Sequence, residues 1–154
     1  MSDKPKFDIQ QAHKYFSTDC FNKTWNKMEK NGNRSNDENM EMLHTAIASL
    51  WHWRQREDVT TENLSVGCWQ VSRVYCLISQ PNNARRYGGL SLEHAKNLSP
   101  FFKGYAYETL ARAEMIANKR YIMLTHLEKA REMLEQVEDE EDRKLLENDL
   151  ESIT

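Results

Sequence analysis

The sequence predicts an all-α protein whose helices pair into antiparallel hairpins. Apolar residues recur every three or four positions along most of its 154 residues, which is the spacing of one buried helix face. Proline, glycine, asparagine and serine interrupt this spacing at short intervals and mark turns. No segment alternates apolar and polar residues as a half-buried strand does. We therefore expect seven helices and one domain over residues 1–154.

The first predicted hairpin covers about residues 5–56. Asn31-Gly32-Asn33 ends its first helix, because glycine and asparagine readily take the left-handed conformation that stops helices. Ser35 and Glu38 have the spacing of a capping box and begin the second helix. The core between the two helices is predicted to hold the aromatic residues Tyr15, Phe16, Phe21, Trp25, Trp51 and Trp53. If Trp51 or Trp53 points outward instead, it would mark a surface for a partner or a second copy.

The second predicted hairpin covers about residues 62–98, and Thr60 is its N-cap. Pro81 disfavours helical geometry in the residue before it, so we expect the next helix to begin near Asn83. Gly88 and Gly89 lie inside that helix, where each costs about 1 kcal/mol relative to alanine. A close approach of another helix is the expected compensation.

The third predicted hairpin, at about residues 100–137, begins with Ser99 as N-cap and Pro100 at the first helical position. A capping helix follows at about residues 138–153. Its first residues form the acidic run 138–142, whose carboxylates stabilise the positive end of a helix dipole.

The second and third hairpins align with each other at an offset of 39 residues. The offset pairs Ser72 with Ala111 inside the hairpins and Ser91 with Ala130 between them, where small residues let helices approach. This pattern over about residues 62–137 resembles the tetratricopeptide repeat (TPR), although that repeat has a period of about 34 residues. The signature tryptophan is also replaced, and the closing proline is missing.

A second likeness covers nearly the whole chain and is to a family of small bacterial cytoplasmic TPR-like proteins. It rests on CFNKTW (20–25), MLHTAIASLWHW (42–53), WQVSRVY (69–75), AYETLARA (106–113) and EDEEDRKLLENDL (138–150). The two likenesses imply a right-handed array of antiparallel hairpins closed by a capping helix. They supply no catalytic residue.

Composition excludes several classes of function. With 21 Lys and Arg against 24 Asp and Glu, the net charge is −3, so there is no basic field to attract nucleic acid or an anionic membrane. No run is long and apolar enough to span a membrane, and the first residues lack the apolar core of a signal peptide. The three cysteines, Cys20, Cys68 and Cys76, match no disulfide framework. We expect a cytoplasmic protein with reduced thiols and no cofactor.

The repeat register predicts a groove lined by the first helix of each hairpin. It places Trp69, Arg73, Cys76, Tyr105, Glu108, Arg112 and Met115 on this inner face. Trp69 lies over Glu108, and Arg73 lies over Arg112. Two guanidiniums at equivalent heights could bind a carboxylate or a phosphate through forked hydrogen bonds, with Trp69 as an apolar anchor. The predicted function is therefore a non-enzymatic scaffold or adaptor that binds a peptide or protein segment, with a carboxylate as one candidate anchor.

The same residues also allow an internal network with no ligand. Glu108 and Arg112 are four residues apart on one helix, a spacing that stabilises by about 0.2–0.5 kcal/mol. Arg73 could bond to Glu108 as well and thereby lock neighbouring hairpins together. Cys76 is expected to be more exposed than Cys68, and Arg73 one turn earlier could lower its pKa.

Two other functions stay open from the sequence. A small-molecule or metal site, with or without catalysis, could use His44, His52 and the groove arginines. Zinc would need further ligands from residues such as His13 or His94, because it takes three or four protein ligands. A homo-oligomeric structural protein is the other alternative. No HExxH or CxxC motif and no nucleophile pattern occurs, so we do not expect an enzyme.

Overall fold

A computed structural model describes residues 3–30 and 32–154 and shows an all-α fold. These residues form seven helices and no strand, as predicted. The helices are α1 (Ile9–Met28), α2 (Asn36–Gln55), α3 (Thr61–Leu77), α4 (Pro81–Ala95), α5 (Pro100–Ile116), α6 (Arg120–Leu134) and α7 (Glu140–Glu151). Asn31, the first residue of the predicted turn after α1, lies outside the described residues, whereas Gly32 has the expected positive φ of 88°. None of the described helices combines the length and the apolar character that crossing a membrane needs.

Consecutive helices pack along each other in pairs. The pairs α1/α2, α3/α4 and α5/α6 have the most extensive contacts, and α2 contacts α3 as α4 contacts α5. The first helices of the second and third pairs, α3 and α5, also touch directly. Helix α7 packs on α5 and α6. The pair α3/α5 therefore has α1 on one side and α7 on the other.

The backbone repeats at the offset of 39 residues. Helices α3 and α5 have the same length and differ by 39 in both bounds, as do α4 and α6. Their turns correspond as well, because Ser79 and Asn118 take left-handed φ values of 60° and 57°. In each turn the next amide donates to a carbonyl five residues back, from Gln80 to Tyr75 and from Lys119 to Glu114. This bond satisfies a free carbonyl at the helix end.

The predicted helix starts are mostly confirmed. Ser35 and Glu38 form a capping box, and Thr60 accepts a hydrogen bond from the amide of Asn63. Asp139 caps α7 by accepting from the amide of Asp142 at 2.9 Å. The start of α4 was predicted wrongly, because the helix begins at Pro81 rather than near Asn83. Proline fits the first helical position, where no amide donor is needed.

Helices approach each other closely at Gly88 and Gly104. A Cβ on Gly88 would lie 2.9 Å from Leu110 Cδ2, so α4 approaches α5 as expected there. Gly89 has open space around it, so the expected compensation is absent at that residue. A Cβ on Gly104 would lie 2.6 Å from Leu146 Cδ2, where α5 meets α7. The glycines at 88 and 104 therefore permit the packing of the third hairpin against its neighbours.

The aromatic residues of the first hairpin do not fill its core. Tyr15, Phe16, Trp25 and Trp51 are exposed, so that prediction was wrong for them. Small hydroxyl residues occupy the contact between α1 and α2 instead. Ser49 donates to the carbonyl oxygen of Ser17 at 2.7 Å, and Thr24 donates to the hydroxyl of Thr45 at 2.7 Å. Such short side chains bring the two helices close together and leave the rings outside.

One small residue of the second hairpin differs from its predicted role. Ser91 was expected to let neighbouring hairpins approach each other, but its hydroxyl donates to the carbonyl oxygen of Ser65 within its own hairpin at 2.8 Å. Ser72 lies at the contact within its own hairpin and also at the contact with the next hairpin. Its hydroxyl donates to the carbonyl oxygen of Ala84 on α4 at 2.7 Å and lies 2.7 Å from the hydroxyl of Thr109 on α5.

Candidate functional site

The carboxylate of Glu108 lies at the centre of the predicted inner face. Its side chain is fully buried and accepts a hydrogen bond from Trp69 Nε1 at 3.1 Å. Arg112 Nε donates to its other oxygen at 2.8 Å. Residues 69 and 108 are therefore neighbours across α3 and α5, as the offset of 39 predicted.

Both arginines of the predicted groove face this one carboxylate. Arg73 Nη1 lies 3.8 Å from Glu108 Oε1, and Arg112 Nη2 lies 2.6 Å from the same atom. Arg112 Nη2 also contacts the end of α7, at 3.0 Å from the Asp149 carbonyl oxygen and 2.7 Å from Ser152 Oγ. The two side chains are only 17% and 11% exposed. The structure thus contains the internal network, in which Glu108 is the carboxylate that the guanidiniums contact.

Arg73 is less well satisfied than Arg112. Its guanidinium carbon lies 5.9 Å from the ring centroid of Trp69. Its Nε is buried and has no hydrogen-bond partner among the described residues. A buried donor left without a partner costs about 1–3 kcal/mol. The network therefore holds Trp69 between Arg73 and Glu108 and leaves one donor of Arg73 unsatisfied.

Tyr105 is held in a similar way from α7. Its hydroxyl donates to Asp149 Oδ2 at 2.7 Å, and its ring meets the ring of Trp69 edge to face at 5.5 Å. Burial, together with the nearby Asp149 carboxylate, raises the pKa of Tyr105 well above its ordinary value. The polar atoms of Trp69 and Tyr105 are both bound to carboxylates, so the rest of each ring is free to present an apolar surface.

These two rings line an open cavity of about 370 Å³, which we call the aromatic groove. Residues from α1, α3, α4, α5 and α7 surround it. They are Phe21, Asn22, Trp25, Ser65, Val66, Trp69, Ser91, Phe101, Phe102, Tyr105, Leu145 and Asp149. Trp25 packs on Trp69 with ring centroids 5.8 Å apart, and Phe101 packs on Tyr105 at 5.1 Å. The lining is predominantly apolar, as in most ligand-binding clefts.

No protein-family model, curated protein or solved structure matches this chain. Of the predicted site residues, Trp69 and Tyr105 line the aromatic groove, whereas Arg73, Glu108 and Arg112 form the network beside it.

Sequence reasoning missed most of the groove. Phe21 and Trp25 were assigned to the core, although their spacing of four on α1 puts them on one helix face. Phe101 and Phe102 follow Pro100 at the start of α5, and neighbouring aromatics at a helix start were a usable signal. No sequence signal indicated Asp149, because its role depends on where α7 packs.

Two other predicted groove residues lie elsewhere. Cys76 is buried, and burial raises the pKa of its thiol to about 12 in spite of the nearby Arg73. The expectation that Arg73 would lower the pKa of Cys76 was therefore wrong, because Cys76 is buried as Cys68 is. Burial likewise raises the pKa of Cys68 to about 11. Met115 lines a separate cavity of about 220 Å³ at the other end of α5, next to Arg120 and Thr154.

The histidines do not assemble as a metal centre in the described part of the chain. No group of three or more His, Cys, Asp or Glu residues there could hold a metal ion. His52 pairs with His13, with 2.8 Å between their Nδ1 atoms, whereas His44 is exposed. Burial, together with the neighbouring His13, lowers the pKa of His52.

Proposed function

We propose that this chain is a non-enzymatic interaction module that binds an apolar side chain of a peptide or protein segment in the aromatic groove. The observation that carries the proposal is the open, ring-lined cavity of about 370 Å³ between α1, α3, α5 and α7. Clefts of about 300–1,000 Å³ with apolar walls are typical binding sites. Tryptophan and tyrosine are also the residues that most often dominate binding energy at interfaces.

The role of the predicted site residues follows from their contacts. Glu108, with Arg73 and Arg112, holds Trp69 in place, and Asp149 holds Tyr105. Rings fixed in this way lose little side-chain freedom when a ligand binds, and that reduces the entropic cost of association. The partner is expected to touch the rings rather than the arginines.

The proposed architecture is a right-handed TPR-like array in the cytoplasm. The equal helix bounds at an offset of 39 residues and the direct contact between α3 and α5 support it. In such an array the first helices of successive hairpins form the inner face, and α1, α3 and α5 all contribute residues to the aromatic groove.

A matched pair of tryptophan variants tests the groove. Trp25 lines the groove and is 40% exposed, whereas Trp51 is 53% exposed on α2 and does not line it. We expect peptides selected from a random display library on the wild-type protein to lose most of their affinity for Trp25→Ala. The same peptides should bind Trp51→Ala as tightly as wild type. Equal binding to Trp25→Ala and wild type would overturn the proposal.

A second candidate function, self-association, is favoured by an apolar stripe on α2. Met40, Ile47 and Trp51 are all exposed along this helix, and an outward Trp51 was expected to mark such a surface. Light scattering tests this candidate. A molar mass that rises with concentration, and that Trp51→Glu returns to the monomer value, would support it. A monomer at every concentration would exclude it.

A further inference from the structure

The aromatic groove continues into a second apolar cavity. A smaller cavity of about 220 Å³ lies beside it and shares three of its lining residues, Phe21, Val66 and Phe102. Trp53 of α2 adds another ring to the lining of the smaller cavity. Two adjoining apolar cavities with a shared wall suit a segment that inserts more than one side chain.

The charged residues that line the two cavities are all acidic. They are Asp149 in the aromatic groove and Glu62 in the smaller cavity, and no Lys, Arg or His of the described residues lines either one. Neither carboxylate forms an ion pair within 4.0 Å among the described residues. Asp149 Oδ2 accepts only the neutral hydroxyl of Tyr105. Arg112 contacts the carbonyl oxygen of Asp149 and not its carboxylate, so both acidic side chains are without a counter-ion at the cavities in the described part of the chain.

The groove walls themselves also favour a positive charge. The faces of tryptophan and tyrosine rings attract ammonium and guanidinium groups, by about 0.5–1 kcal/mol at exposed sites and more where water is excluded. Because Trp69 donates its ring N–H to Glu108, its polar edge is turned away from the ligand. Trp25 and Tyr105 flank the same ring.

We propose that the partner is a basic apolar segment, with a lysine or arginine side chain next to the apolar side chains that enter the two cavities. Asp149 and Glu62 would pair with its cationic groups at the margins of the groove. This inference rests on the proposed function, because it specifies the partner of the same site. The carboxylate anchor predicted from the sequence is the competing chemistry, and it is disfavoured because Arg73 and Arg112 already face Glu108.

Three peptide probes distinguish these chemistries. The peptides are terminally blocked, share the same leucine and tryptophan residues, and carry lysine, glutamine or glutamate at two other positions. We expect the lysine peptide to bind about three- to tenfold more tightly than the glutamine peptide, and the glutamate peptide to bind most weakly. The advantage of the lysine peptide should shrink as salt is raised.

Charge-removing variants localise the effect. Asp149→Asn keeps an acceptor for the Tyr105 hydroxyl, and Glu62→Gln changes an exposed residue, so both should fold. On the double variant the lysine peptide and the glutamine peptide should bind with the same affinity, because the carboxylates that favour lysine are gone. Glu147→Gln, an exposed change on α7 outside both cavities, is the control and should have no effect.

The other outcomes separate the two proposals. Equal binding of all three peptides, or tighter binding of the glutamate peptide, overturns the inference about charge and leaves the interaction module intact. A lysine preference that survives in the double variant overturns the assignment to Asp149 and Glu62. If none of the peptides binds, both proposals fail.

Discussion

Glu108 is the residue on which the inner face depends. Its buried carboxylate is in contact with Arg73, Arg112 and Trp69. Removing one partner of a buried ion pair destabilises a protein by about 3–5 kcal/mol, since the remaining charge is left uncompensated. We therefore expect Glu108→Gln to lower the free energy of unfolding in urea by about that amount, with two arginines left without a counter-ion.

A surface pair provides the control for that measurement. Glu132 and Lys129 are about half exposed and form an ion pair at 3.5 Å. Glu132→Gln should leave the free energy of unfolding unchanged within about 0.5 kcal/mol. A Glu108→Gln protein as stable as Glu132→Gln would show that the network carries no stability.

The histidine pair predicts how stability depends on pH. The pKa of His52 lies below its ordinary value of 6.5 in the folded protein, because of burial and of His13 across the contact. Trp51 and Phe16 also pack on this ring and offer no counter-charge. The unfolded chain then binds the proton more readily. Stability should be highest above about pH 6.5 and should fall as the pH drops below it.

Unfolding measured between about pH 7.5 and pH 5 checks this sign. The pKa of His126 is also lowered by burial, so this residue contributes in the same direction. His52→Gln should therefore reduce the slope of the free energy of unfolding against pH. The double variant His52→Gln, His126→Gln should reduce that slope further. A slope identical to that of wild type in both variants would contradict the assignment.

At the scale of the helices, the two glycines at 89 and 104 predict opposite effects. A Cβ on Gly104 would lie 2.6 Å from Leu146 Cδ2, and Leu146 is fully buried. Gly104→Ala should therefore displace α7 and destabilise by about 1–3 kcal/mol. A Cβ on Gly89 meets nothing within 4 Å, so Gly89→Ala should stabilise by up to about 1 kcal/mol through helix propensity alone.

Thermal unfolding of both variants tests whether α7 depends on this contact. Gly104→Ala should also loosen the bond from Tyr105 to Asp149, which joins the same two helices. An unchanged melting temperature for Gly104→Ala would show that α7 shifts at no cost.

The helices were the most predictable level of this structure. Caps such as Ser35 and Thr60 act through hydrogen bonds within a few residues, so their sequence is sufficient evidence. The offset of 39 residues correctly placed Trp69 beside Glu108. The offset did not predict where the Arg112 side chain points, because its guanidinium donates to the carbonyl oxygen of Asp149 at the end of another helix.

The aromatic groove was less predictable for a physical reason. Apolar spacing identifies one face of a helix but does not show whether another helix or a ligand covers it. Phe21 and Trp25 have a spacing that suits a core, yet Ser17, Thr24 and Ser49 already fill the contact between α1 and α2. Hydropathy alone does not distinguish these two cases.

In the whole molecule, α7 completes the aromatic groove. It contributes Leu145 and Asp149 to the aromatic groove and accepts hydrogen bonds from Arg112 and Tyr105 on α5. The groove therefore consists of residues far apart in sequence, from Phe21 to Asp149. A change that displaces α7 should therefore also disrupt the aromatic groove.

Amide chemical shifts measured during titration with the lysine peptide locate its binding site directly. We predict that the shifted signals belong to residues around Trp25, Trp69, Tyr105 and Asp149. Shifts confined to the exposed face of α2 around Ile47 and Trp51, with none in the groove, would contradict this prediction.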